Sequence, residues 1–211
     1  GRLLEHEDGA IRAAALRSLT KSRPDEDLLR GHLDDPEPAV RCTALVALIG
    51  AGLADEEEGS DTLRRVVHGD CGDTRLALAR ALRDLPMPRH AWVAAELVAI
   101  GEPQLAAEVA RSLVAAPHPC HLPLLLDMLR LRDAREEARR ALLAIGEAAL
   151  PELDAALADL GQPVAVRQHL PRTISRFAPD RAAPILLSAL CKETNAEVVF
   201  KILRGLGRIR T

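Results

Sequence analysis

Apolar residues recur along the chain at a spacing that a helix, and not a strand, turns to one side. Let Ile11, Val40, Thr74, Leu105, Ala134, Val166 and Val198 each be position 0 of a segment. Position +4 is then Ala15, Ala44, Leu78, Val109, Ala138, Leu170 and Ile202, apolar in all seven. Position +8 is Leu19, Leu48, Leu82, Leu113, Leu142, Ile174 and Leu206. Position +7 is always small: Ser18, Ala47, Ala81, Ser112, Ala141, Thr173 and Gly205. Residues at 0, +4 and +8 form one stripe of a helix with 3.6 residues per turn. Successive starts differ by 29, 34, 31, 29, 32 and 32 residues, so the chain repeats a unit of about 31.

A second set of apolar segments lies between these helices, for example Leu28-Leu29 with Leu33, Leu63 with Val66-Val67, and Leu150 with Leu153 and Leu157. Each ends in turn chemistry: Asp34-Asp35-Pro36-Glu37-Pro38, Gly69-Asp70-Cys71-Gly72-Asp73, Gly101-Glu102-Pro103 or Gly161-Gln162-Pro163. Pro and Gly stop one helix there, and Asp caps the next. No such pair can bury its stripe alone, so neighbouring pairs must stack. The pattern predicts an all-α chain, an α-solenoid of about seven helix pairs forming a single array over residues 1–211.

Composition agrees. Hydrophobic residues are 48% of the chain and aromatics only 1%, namely Trp92, Phe177 and Phe200, so the core must be built of Leu, Ala, Val and Ile. A net charge of −3 speaks against a nucleic-acid binder and an acidic tail. Basicity rests on 25 arginines against Lys21, Lys192 and Lys201, and guanidinium groups make planar, bidentate contacts that ammonium groups do not. Cys42, Cys71, Cys120 and Cys191 lie far apart, which reads as reduced thiols in a cytoplasmic monomer. No apolar run approaches the roughly 20 residues of a membrane span. A chain that begins at Gly1 reads as a piece of something longer.

The stretch Leu33-Asp-Asp-Pro-Glu-Pro-Ala-Val-Arg-Cys-Thr-Ala-Leu-Val-Ala-Leu48 resembles the HEAT pattern L-x-D-x-x-P-x-V-R-x-x-A-x-x-A-L, in particular the short, phycobilin-lyase-like bacterial variant. Segments four and seven depart from it, with Ala106 and Val199 in place of the Arg at +1. The Trp, Gly, Tyr and Phe positions of a tetratricopeptide repeat are absent. The stretch Val166–Arg210 is similar to HEAT regions appended to nucleotide-translocase-like carriers of GC-rich bacteria. That would tether the array to a membrane protein on its cytosolic face. The HEAT resemblance implies a curved scaffold whose second helices line a groove, and it implies no activity.

Position +6 reads Arg17, Val46, Arg80, Arg111, Arg140, Arg172 and Arg204. It falls about 140° from the centre of the stripe, so these six arginines are expected to face solvent and to line up as repeats stack. Lys21, Arg176 and Arg208 at +10 and Lys201 at +3 would widen the strip. Such a face suits an acidic or phosphorylated segment of another protein. The plain alternative is pairing within helices: Glu108 with Arg111, and Glu136 or Glu137 with Arg140, which accounts for two of the six. The +1 arginines, Arg12, Arg41, Arg75, Arg135 and Arg167, read as structural bridges to turn aspartates of neighbouring repeats.

Other residues invite chemistry and fall short of it. His118, Cys120 and His121 hold no second pair at zinc-finger spacing, so they read as a turn before a helix, and no cofactor or metal is expected. A HEAT-type lysine hydroxylase needs several His-Glu pairs, and the chain has only His6-Glu7. Trp92 could hold a flipped nucleotide, as in HEAT-like DNA glycosylases, but its apolar neighbours favour burial between repeats. The acidic run Asp55–Asp61 reads as solvated, lengthening a loop and starting the third repeat. The expectation is therefore a non-catalytic protein-interaction scaffold. Its rivals are an enzyme, DNA glycosylase-like or chromophore lyase-like, and direct nucleic-acid binding, which would want aromatic residues for base stacking.

Overall fold

In the computed structural model, which describes residues 2–69, 71–87 and 90–209, every one of the seven periodic segments is helical. After a 3-10 turn at Arg2–Glu5 comes α1 (Gly9–Ser22), then α2 (Glu26–Arg30) with α3 (Pro38–Gly50), α4 (Glu56–His68) with α5 (Gly72–Asp84), and α6 (Ala91–Ala99) with α7 (Pro103–Ala115). There follow α8 (Leu122–Met128) with α9 (Arg135–Ile145), α10 (Leu150–Ala158) with the pieces α11 (Val164–Arg167) and α12 (Leu170–Ile174), and α13 (Pro179–Leu190) with α14 (Ala196–Leu206). No strand occurs among the described residues. Asp70 of the Gly69–Asp73 turn and Arg210 lie outside them.

The helices start and stop for local reasons. Asp8, Asp25, Asp55 and Asn195 cap α1, α2, α4 and α14, each side chain accepting a backbone N–H of the first turn. The acidic run thus belongs to a helix start and not to a longer loop: Asp55 accepts from the amides of Glu57 and Glu58. Gly101 and Gly146, at φ 84° and 78°, end α6 and α9 in the left-handed region where a side chain would be strained. The sixth second helix is broken between Arg167 and Leu170. Pro171 has no N–H to offer the carbonyl of Arg167, four residues earlier.

The stripe is the core. At +4, Ala44, Leu78, Val109, Ala138, Leu170 and Ile202 are each at most 1% exposed. The first repeat departs from the expectation. Ile11 and Ala15 are half-buried and Leu19 is 42% exposed; among the described residues α1 packs chiefly against α3 and the short turn Arg2–Glu5. The helix buries Ala13 and Leu16 instead, in one cluster with Leu29, Val40, Ala44, Ala47 and Leu48.

The small residues at +7 mark where second helices touch. Ser112 Oγ lies 3.0 Å from the carbonyl of Ala79 on α5. Thr173 Oγ1 accepts from Arg139 Nε on α9 at 3.3 Å. A Cβ on Gly205 would meet the carbonyl oxygen of Pro171 on α12 at 3.0 Å. Position +7 of one repeat therefore sits on position +5 of the repeat before it, and bulk there would hold the helices apart.

The chain divides into two compact units, residues 1–116 and 117–211. In the first, α1, α3, α5 and α7 pack side by side, with α4 against α6. In the second, α9, α12 and α14 form one layer, and α10 with α13 belongs to the other.

The +1 arginines are brackets. Arg12 donates to both carboxylate oxygens of Asp35, at 2.9 and 2.6 Å, and to the carbonyls of His6 and Glu7. Arg75 reaches Glu102 at 3.0 Å and the carbonyls of Val67 and Gly69. Arg167 reaches Glu193 and the carbonyl of Gln162. In each of these three, one side chain ties its own turn to an acid in the next repeat. Arg41 and Arg135 hold turn carbonyls of their own repeat, Asp35 and Pro36, and Leu129 and Arg130. The repeats that lack this arginine, at Ala106 and Val199, are the last of the two units.

Candidate partner-binding face

Position +6 points outward, as helical geometry requires. Arg80, Arg111, Arg140, Arg172 and Arg204 are exposed, Arg17 is half-buried, and Val46 is buried within its repeat. Pairing goes well beyond the two arginines that i,i+3 and i,i+4 spacing explains. In the first unit Arg17 donates to Asp84 at 2.5 Å across 67 residues. Glu108, whose side chain is only 5% exposed, holds three guanidinium groups: Arg111 at 2.6 Å, Arg83 at 3.2 Å and Arg80 at 3.8 Å. Its position at +3, between α5 and α7, lets one buried carboxylate serve both helices.

The second unit has a similar hub with less acid. Glu136 contacts Arg139, Arg176 at 3.1 Å and Arg172 at 3.8 Å, and Glu137 contacts Arg140 at 3.2 Å. Burial raises the Glu136 carboxyl, but Arg139, Arg176 and Arg172 outweigh it, and the group sits below its ordinary value. Lys201, Arg204 and Arg208 have no carboxylate partner among the described residues. The Arg204 guanidinium and the Lys201 ammonium lie 5.7 and 5.9 Å from the ring of Phe200. Burial, then repulsion by Arg204, Arg172 and Arg176, pulls Arg208 below the usual guanidinium value. His169, beneath this cluster, is pushed down to about 4, first by burial and then by Arg135, Arg139, Lys201 and Arg172. Cations crowd this face.

The other layer of the second unit carries the opposite charge. One groove is lined by Glu147, Asp154, Asp180 and Arg181 beside Leu150 and Pro184. Another is lined by Asp127, Glu152 and Asp159 beside Leu126 and Ala156. By sequence the first unit holds fourteen Arg and Lys against twenty Asp and Glu, and the second holds fourteen against eleven. The net charge of −3 therefore conceals −6 in one unit and +3 in the other.

The remaining candidates lie away from this face. His118 caps the 3-10 turn Pro119–His121 ahead of α8, accepting from the amide of Cys120. Among the described residues no group of three His, Cys, Asp or Glu could hold a metal ion. Trp92 is half-buried, not enclosed between repeats, and Arg64 of α4 lies over its ring at 5.2 Å. Among the described residues no disulfide joins Cys42, Cys71, Cys120 or Cys191. No helix among the described residues is long and apolar enough to cross a membrane. The residue that sequence reasoning missed is Arg139: at +5, where five of the other repeats place Leu or Ala, it is 1% exposed. The signal was available, since +5 is apolar in every other repeat.

No curated protein and no solved structure matches the chain. Residues 2–85 match the family model of HEAT repeats, and the match carries neither the lyase-like subtype nor the carrier-linked one. HEAT repeats generally mediate protein interactions and are typically non-catalytic scaffolds. With residues 2–85 matched to HEAT repeats and the same helix pair continuing to α14, the chain is an all-α helical-repeat solenoid that is similar to HEAT repeats over its first 85 residues.

Proposed function

We propose that this chain is a non-catalytic protein-interaction scaffold, and that the second-helix face of residues 117–211 takes an acidic or phosphorylated segment of another protein. The observation that carries this reading is the imbalance on that face. Arg140, Arg172 and Arg176 share Glu136 and Glu137 with Arg139, and Lys201, Arg204 and Arg208 beside them have no carboxylate partner among the described residues, whereas Arg17, Arg80 and Arg111 of the first unit are each within 4.0 Å of Asp84 or Glu108. Like charges held together repel, and an anionic ligand relieves that repulsion. Guanidinium groups also match carboxylate and phosphate oxygens in pairs. On this reading the working part of the arginine ladder is its second half, Arg140, Arg172 and Arg204, and Arg17, Arg80 and Arg111 serve the fold.

Two triple variants test the division, with binding of a labelled oligo-glutamate peptide at low salt as the readout. Arg140→Gln with Arg172→Gln and Arg176→Gln should weaken binding about tenfold or more and flatten its salt dependence. Arg17→Gln with Arg80→Gln and Arg111→Gln should leave binding within about twofold and lower the melting temperature instead. Equal loss from both variants, or from neither, overturns the reading.

A further inference from the structure

The outward ridge of α10 is flanked by two grooves, one against α8 and one against α13, and both are built the same way. On one flank Ala155 and Ala156 line a cavity of about 450 Å³ with Leu126 of α8 and Val166 of α11. On the other, Leu150 lines a cavity of about 420 Å³ with Pro184 and Ile185 of α13. The buried part of each lining is apolar: Ala156 and Val166 in the first groove, Leu150 in the second. The carboxylates stand exposed at the edges, Glu152 and Asp159 beside the first, Asp154 and Asp180 beside the second. Asp127 and Glu147, also at these edges, are paired with Arg130 and Arg181. Glu152, Asp154, Asp159 and Asp180 have no cationic partner among the described residues, and α10 itself holds no Lys or Arg. Each groove owes its shape to two neighbouring repeats and not to an end of the array.

Neither ingredient alone identifies an occupant. A groove without charge takes any apolar side chain, and carboxylates without a groove are merely solvated. Together they fit a side chain with an apolar stem and a cationic head, which Arg and Lys possess. The stem lies along the buried apolar lining while the head meets a carboxylate at the edge. The grooves lie on opposite flanks of one helix, and packed helices are about 8–10 Å apart. An extended chain covers that distance in about three residues. We infer that α10 and its two grooves bind an extended segment of another protein that carries two Arg or Lys about three residues apart, with apolar residues beside them. Each cation then faces two carboxylates that the fold leaves uncompensated. This surface lies on the layer opposite the arginine face, and the inference stands without the acidic-partner reading. Where both hold, residues 117–211 join a basic segment of one protein to an acidic segment of another.

The probe is a labelled peptide of leucine, alanine and proline with two arginines three residues apart, its binding to the whole chain read by fluorescence anisotropy at low salt. Saturable binding is expected. Glu152→Gln with Asp159→Asn should weaken it about tenfold or more, and so should Asp154→Asn with Asp180→Asn. Ala155→Arg sets a competing stem and cation on one groove and should weaken it as well. These side chains are exposed, and an unchanged helical circular dichroism with a cooperative melt shows that each variant is folded. A peptide with serine for leucine keeps both charges and should bind more weakly. The triple variant Arg140→Gln, Arg172→Gln and Arg176→Gln, which tests the acidic-partner reading, should bind the arginine peptide within about twofold of the parent. Absence of binding, or binding that either pair of acid substitutions leaves unchanged, overturns the site. Equal binding of the serine peptide also overturns it, since charge alone then suffices. A concentration-dependent self-association in light scattering that both the acid variants and the triple variant abolish overturns it too, in favour of a second copy's arginine face.

Discussion

Replacing Arg139 with methionine should leave the protein as stable or make it more so, although the arginine is fully buried and ion-paired. Burying a guanidinium costs several kcal/mol in lost hydration. Against this stand one ion pair to Glu136, whose own side chain is 44% exposed, and a long hydrogen bond from Nε to Thr173 at 3.3 Å. Charged hydrogen bonds contribute about 1.5–3 kcal/mol at their best, so the balance is close to zero. The usual penalty for removing one partner of a buried pair does not arise here. Glu136 keeps Arg176 and Arg172, and the Thr173 hydroxyl keeps its bond to the carbonyl of His169 at 3.2 Å. No group is left orphaned. Methionine retains the volume of the buried stem, so a change of about 0 to +2 kcal/mol is expected. Alanine opens a cavity instead and should cost about 2–4 kcal/mol. For a chain of this size 1 kcal/mol moves the melting temperature by about 2–4 °C. Calorimetry and urea titration on the two variants decide the matter. If methionine is as damaging as alanine, the ion pair itself holds the α9–α12 junction and the reasoning is wrong.

Further outcomes follow from named contacts. Hydrogen bonding to Arg12 holds the Asp35 carboxyl below its ordinary value, so the bracket stabilises above about pH 4 and fades as pH falls through the native value. The difference in melting temperature between the parent and Arg12→Gln should therefore be large at pH 6 and smaller at pH 3. His169 is lowered to about 4 in the native state, so the unfolded chain binds more protons between about pH 6.5 and 4. Stability should drop across that window, and His169→Gln should flatten the slope. Burial pushes the Cys42 thiol up to about 12, whereas hydrogen bonds from Thr74 lower exposed Cys71. Mass spectrometry after brief iodoacetamide treatment should find Cys71 labelled well ahead of Cys42. Gly205→Val should destabilise by about 1–3 kcal/mol in thermal melts, since its branches would press on the Pro171 carbonyl and on Leu186 Cδ1.

What could be read from the sequence, and what could not, divides by distance along the chain. Helical period is a local property, so the stripe beyond the first repeat and the small +7 residues were legible, and the +1 arginines were recognisable from their place beside the turn. The pairing of the +6 arginines was legible only where the acid lay within one turn, as at Glu108–Arg111 and Glu137–Arg140. Asp84 lies 67 residues from Arg17, and Glu136 lies 40 from Arg176, and no local rule brings them together. Leu19 and Trp92 mark the converse limit. Each sits in an apolar pattern, yet burial needs a neighbour to supply the covering surface, and a pattern within one helix does not say whether that neighbour is there.

The separation of charge between the two layers of residues 117–211 makes that unit an electric dipole, with Glu152, Asp154, Asp159 and Asp180, beside the ion pairs Arg130–Asp127 and Arg181–Glu147, at one pole and the α9–α12–α14 arginines at the other. A dipole exerts torque on an approaching charge before any surfaces meet. An acidic partner would be turned toward the correct side during its approach and repelled from the wrong one, so fewer encounters would be wasted. Salt should then act mainly on how fast the complex forms. Its lifetime would be set by the close contacts, which salt screens far less.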